Sequence, residues 1–172
     1  MRMTRLISSL SLLSLVLHAQ APANPTPGRL LCVFLDMNAM DAAAQATARD
    51  SAIQYVQRQA QPSDRIAVMT YTSQLNVLED FTTDHDRTLA ALRMIMPRGA
   101  AGASDAAVRL QAIRAAVAAL SPLPDKKAML YFSSGVLGNG GDDSEMRATV
   151  NAAIRANVSI YSVDSRGLTP PQ

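Results

Sequence analysis

Asp36 ends a run of apolar residues, and Asn38 follows it two positions later. A carboxylate and an amide oxygen at that spacing offer two hard ligands side by side. With loop waters and a further carboxylate they would suit Mg²⁺, which takes few protein ligands and keeps several waters. Ser104 and Ser134 lie in other polar segments and are placed to approach from neighbouring loops. The same aspartate has a purely structural use, accepting hydrogen bonds from the N–H groups of its own loop. Serine hydrolysis finds no Gly-x-Ser-x-Gly frame around Ser133 and Ser134, and His85 falls in the first turn of a helix as a solvated residue. Cys32, the only cysteine, sits inside an apolar run and reads as a small buried hydrophobe.

The elements that must position these residues follow from pattern. Residues 30–35 are continuously apolar, as a central strand buried on both faces requires. Asp41 caps a helix running to about Ala60, with Ile53, Val56 and Ala60 on one face. Residues 66–71 and 74–81 form two strands separated by Thr72-Ser73, too short a link for a parallel crossover, so they pair as an antiparallel edge hairpin. Thr83 with Asp86 forms a capping box for a helix to about Met96. Ser104 caps the next helix, whose Leu110, Ile113, Val117 and Leu120 recur at three and four. Residues 128–132 form a strand ending in Ser133-Ser134-Gly135. A helix with Met146, Val150 and Ile154 on one side follows, then a last strand at 158–163.

Strands alternating with amphipathic helices indicate an α/β fold, a mostly parallel sheet covered on both faces. If the early strands extend the sheet one way and the late strands the other, the order reverses beside the first strand. Ligands in open α/β sheets bind at that reversal, beyond the carboxyl ends of the strands. The loops meeting there are 36–40 and 133–138.

The start of the chain has the layout of a secretory signal peptide. Arg2 and Arg5 precede an apolar stretch at 6–17, and Ala19-Gln20-Ala21 supplies small residues. The expected division is a signal peptide at 1–21, a Pro- and Ala-rich linker at 22–29, a domain at 30–168 and a tail at 169–172. The mature protein is then periplasmic or extracellular, with no membrane span. Of sixteen Lys+Arg and fourteen Asp+Glu, two arginines belong to the leader, which leaves the remainder formally neutral. Basic residues do not cluster with aromatics, so no nucleic-acid partner is expected.

Five segments, taken in order, resemble a known family. They are Leu35-Asp36-Met37-Asn38-Ala39-Met40; Asp64-Arg65-Ile66-Ala67-Val68-Met69-Thr70-Tyr71; Glu79-Asp80-Phe81-Thr82-Thr83-Asp84; Lys126-Lys127 through Ser133-Ser134-Gly135; and Tyr161-Ser162-Val163-Asp164-Ser165-Arg166-Gly167-Leu168. Together they resemble a von Willebrand factor type A (VWA) domain, and within that family the bacterial group called VWFA-related acidobacterial domains. The resemblance implies a doubly wound, Rossmann-like sheet with its third strand antiparallel at one edge. It also implies binding of proteins, often through a divalent ion held by Asp-x-Ser-x-Ser, a threonine and an aspartate from three loops. Asp36 matches the first position, but Asn38 and Met40 replace the two serines. Ser104 is the nearest counterpart of the threonine, and Ser134 stands where the aspartate is expected. A thioether is a poor Mg²⁺ ligand, so the metal-ion-dependent adhesion site is degenerate. Type A domains usually continue with a further strand, so the sheet is expected to be one strand short.

The reading is therefore an exported, non-enzymatic VWA-like domain that binds a protein or a surface ligand, with Mg²⁺ as the one cofactor in question. The alternative is a small metal-dependent, phosphatase-like hydrolase using Asp36 as nucleophile. A haloacid-dehalogenase-like enzyme would need a second acid two residues on, and Asn38 cannot serve. Asp142-Asp143 precede a helix, where they favour its N-terminus.

Overall fold

The computed structural model describes residues 28–98, 105–135 and 143–165. The chain runs β1 (Leu30–Asp36), a 3₁₀ turn (Met37–Ala39), α1 (Ala42–Arg58), β2 (Arg65–Tyr71), β3 (Leu75–Thr82) and α2 (His85–Arg93). It continues with α3 (Ala106–Leu120), β4 (Lys127–Ser133), α4 (Asp143–Arg155) and β5 (Val158–Asp164). The sheet has the order β3-β2-β1-β4-β5. β1 is parallel to β2 and β4, β4 is parallel to β5, and β3 is antiparallel to β2 at the edge. The order thus reverses at β1, as the pattern of the sequence indicates.

Strand periodicity divides the core between the two faces. Leu31, Val33 and Leu35 of β1 pack with Ala44, Ala48, Ala52 and Val56 of α1 and with Leu89 and Leu92 of α2. Cys32 and Phe34 face the other way, with Ala112, Ile113, Ala116, Val117 and Leu120 of α3, Ala153 of α4 and Ala156 just after it. All seven residues of β1 are buried, which explains the unbroken apolar run of the six that precede Asp36.

Helix ends and faces refine the sequence reading. The Asp41 carboxylate accepts from Ala44 N–H at 2.8 Å, capping α1 as expected. α2 is capped by Asp84, which accepts from the N–H groups of Asp86 and Arg87; it is not capped by Thr83, and it ends at Arg93 instead of Met96. Asp84 prevails because its carboxylate reaches two free amides at once. Asp105, one residue beyond the expected Ser104, takes the N-cap position of α3 and makes no side-chain cap bond; Ser104 itself lies outside the described residues.

The larger correction concerns α4. Val150 and Ile154 are exposed (47% and 69%), whereas Thr149, Ala153 and Ala156 are buried. Small side chains let α4 settle closely beside α3, and the bulkier stripe faces outward. Among the described residues no helix is long and apolar enough to cross a membrane.

Candidate functional site

Asp36 occupies the carboxyl end of β1, at the reversal of strand order. Its place in the alternation turns it to the same face as Cys32 and Phe34, and its side chain is fully buried. There the Tyr131 hydroxyl donates to Asp36 Oδ2 at 2.8 Å, and Ala39 N–H donates to Oδ1 at 3.3 Å. Tyr131 comes from the adjacent strand β4, and its ring stacks on Phe34 with centroids 5.6 Å apart. Burial raises the Asp36 pKa, opposed by hydrogen bonds from Tyr131, Ala39 and Asn38 and by the positive charge of Arg109. The Tyr131 phenol is likewise pushed up, first by burial and then by the adjacent carboxylate.

The loop after Asp36 is held from below by Gln45. Its amide Nε2 donates to the carbonyls of Met37 (2.8 Å) and Met40 (3.1 Å), and its Oε1 accepts from Arg98 N–H at 2.8 Å. Asn38 donates its amide N–H to the carbonyl of Thr72, the residue after β2. Met40 is buried. The second loop joins the first through Ser134 N–H, which donates to the Ala39 carbonyl at 3.1 Å. Gly135 has a φ of 81°, a conformation that glycine adopts without a Cβ penalty, and its N–H reaches Asp164 Oδ1 at 3.3 Å.

The structure therefore brings the Asp36, Asn38 and Ser134 loops together at one rim, while Ser104 lies outside the described residues. Both oxygens of Asp36 are engaged, Asn38 faces β2, and among the described residues no three His, Cys, Asp or Glu side chains are grouped to hold a metal.

Beside Asn38 the same rim opens into a groove of about 300 Å³, lined by Met37, Thr72, Leu78, Met94 and Met96 among others. Met94 and Met96 are 77% and 71% exposed and Leu78 42%, so three apolar side chains face solvent around one depression.

No family model matches the chain, and no curated protein matches it in sequence. Solved structures do match. An aerotolerance-related membrane protein from Bacteroides fragilis aligns at TM-score 0.57 and 15% identity, over 80% of this chain and 67% of its own. The conserved hypothetical protein BatB from Bacteroides thetaiotaomicron aligns at TM-score 0.56 and 14% identity, over 80% of this chain and 66% of its own. The fold is VWA-like. A mutant of the PilB minor pilin from Streptococcus sanguinis aligns at TM-score 0.52 and 12% identity, over 67% of this chain and 32% of its own. This VWA-like domain thus spans about two thirds of the first two chains and a third of the pilin.

Several residues that shape the rim of this VWA-like domain escape a motif search. Tyr131 reads in sequence as one more apolar strand residue. Gln45 was detectable, because a polar side chain at position 45 stands on the same buried ridge as Ala44 and Ala48. Asp164 reads in sequence either as one half of an Asp164–Arg166 pair at the mouth of the site or as a residue that turns the chain, and Arg166 lies outside the described residues.

Proposed function

We propose that this is an exported VWA-like domain that binds a protein or a surface ligand through its upper rim, with a degenerate metal-ion-dependent adhesion site. The observation that carries the reading is the exposed Met94-Met96-Leu78 groove beside the loop at 36–40. Flexible, polarizable thioethers around a shallow apolar depression suit a partner side chain better than a small reacting substrate. The buried Asp36 supports the non-enzymatic side of the reading. A nucleophile must meet its substrate, and this carboxylate is fully covered and bonded to Tyr131. Relatives in fold bear names from membrane and pilus biology, which fits a role outside the cytoplasm.

The test is capture of partners from the envelope fraction of the source cells by the full chain. Double substitution Met94→Ser and Met96→Ser is expected to abolish a specific capture that Val150→Ser leaves intact. A parallel phosphatase assay with Mg²⁺ addresses the enzyme reading. Turnover that disappears in Asp36→Asn would sink the binding proposal.

A further inference from the structure

A cavity of about 630 Å³ opens at the opposite end of the sheet, where the parallel strands begin. Its wall carries Arg29, Arg65, Lys126 and Lys127 against one acid, Asp125. Pairing accounts for part of this charge. Arg29 is held by Asp64, with Nη2 to Oδ2 at 2.5 Å, and Arg65 lies 3.7 Å from Asp125. Lys127 is buried, and its ammonium donates to the carbonyls of Leu123 and Asp125, which satisfies donors without cancelling charge. Lys126 is exposed and makes no ion pair or hydrogen bond with its side chain among the described residues. The wall thus keeps the charge of two lysines in excess.

Hydroxyl groups complete the lining. Ser63, Thr83, Ser159 and Tyr161 all face the cavity, and among the described residues none of their hydroxyls has a hydrogen-bond partner. Uncommitted donors beside uncompensated positive charge are what a phosphate group needs, since its oxygens accept charge-assisted hydrogen bonds. The remaining hydroxyls suit a hydroxylated body attached to that phosphate.

We propose that this cavity binds a phosphate-bearing ligand with a hydroxylated body, such as a glycerol or sugar phosphate. Lys126 and Lys127 supply the charge, and Ser159 and Tyr161 supply hydroxyl donors. The site is separate from the rim at Asp36 and does not depend on the reading of that rim.

Calorimetric titration of the full chain with glycerol 3-phosphate, with inorganic phosphate and with glycerol tests the proposal. The expected result is saturable binding of both phosphates, weakening as salt is raised, and none of glycerol. Lys126→Ala should weaken binding by about tenfold, the loss of one charge-assisted hydrogen bond, and Lys126→Glu should abolish it. Unchanged thermal unfolding of both variants confirms that the fold is intact. A second arm sediments the protein with phosphatidylglycerol or phosphatidylcholine vesicles. Lys126-dependent binding to phosphatidylglycerol without binding of soluble phosphates assigns the phosphate to a lipid headgroup, and binding of the soluble probes assigns it to a free ligand. Absence of binding in both arms overturns the proposal, as does affinity for phosphates that Lys126→Glu leaves unchanged.

Discussion

The Tyr131 hydroxyl and the Asp36 carboxylate share a hydrogen bond in a place water does not reach, so each sets the cost of charging the other. The folded Asp36 pKa lies above its ordinary 3.8. Its contribution to stability is therefore largest at or below that value and falls as pH rises through the folded pKa. Tyr131→Phe removes the donor that most favours the ionised form and leaves a buried carboxylate less solvated. The variant should lose about 2 kcal/mol at a pH above the folded Asp36 pKa, where the bond is charge-assisted, and about 1 kcal/mol at a pH below the ordinary 3.8, where it is neutral. Urea unfolding at both pH values checks this, and a loss that is equal or larger in acid would count against it. The same engaged oxygens carry a metal prediction. Millimolar Mg²⁺ or Mn²⁺ should leave the melting temperature unchanged, because binding to the native state alone would raise it. A rise that Asp36→Ala abolishes would show that the carboxylate turns outward to an ion.

At the scale of elements, the strands were the more legible part of the sequence. The run 30–35 announced a central strand because burial on both faces leaves no polar position, and Thr72-Ser73 announced an antiparallel pair because no crossover fits. Helical faces were legible only where large residues carry them, as in α3, whose Leu110, Ile113, Val117 and Leu120 are all buried. In α4 the rule misleads, since size marks the core only when space is available, and here alanines make the contact. α1 shows the same economy, with Ala48 and Ala52 wholly buried against the sheet. Ala48→Leu should therefore cost about 1–3 kcal/mol through overpacking. Ile154→Ser should stay within about 0.5 kcal/mol of wild type despite its apolar spacing. Thermal unfolding of the two variants separates these outcomes, and the reverse ranking would refute the assignment of faces. Of the candidate site, position was legible through topology, but the inward turn of Asp36 was not. Its partner there is a tyrosine ninety-five residues away in sequence.

For the whole molecule, two buried acids close the sheet at its two ends and respond to pH in opposite senses. Asp64 receives Arg29 N–H, Arg29 Nε and Gln61 N–H at 3.2, 3.0 and 2.7 Å, which ties the start of β1 to the start of β2. The Arg29 guanidinium, first among the causes, holds the Asp64 pKa below its ordinary 3.8. Its stabilisation is present above that value and is lost as pH falls through the folded pKa. Asp36 contributes in the other direction, gaining as it protonates. Because Arg29 is half exposed, solvent screens the pair, and Asp64→Asn should cost only about 2 kcal/mol near neutrality. The informative quantity is the slope of stability with pH. Asp64→Asn should flatten the limb below 3.8, since the group that loses stability there is gone. Asp36→Asn should remove the gain in stability between the folded Asp36 pKa and 3.8, and leave the limb below 3.8 as steep as in wild type. Denaturant unfolding across the acid range compares the two variants with wild type. Acid limbs that run parallel in all three proteins would mean that neither acid governs the pH response of the fold.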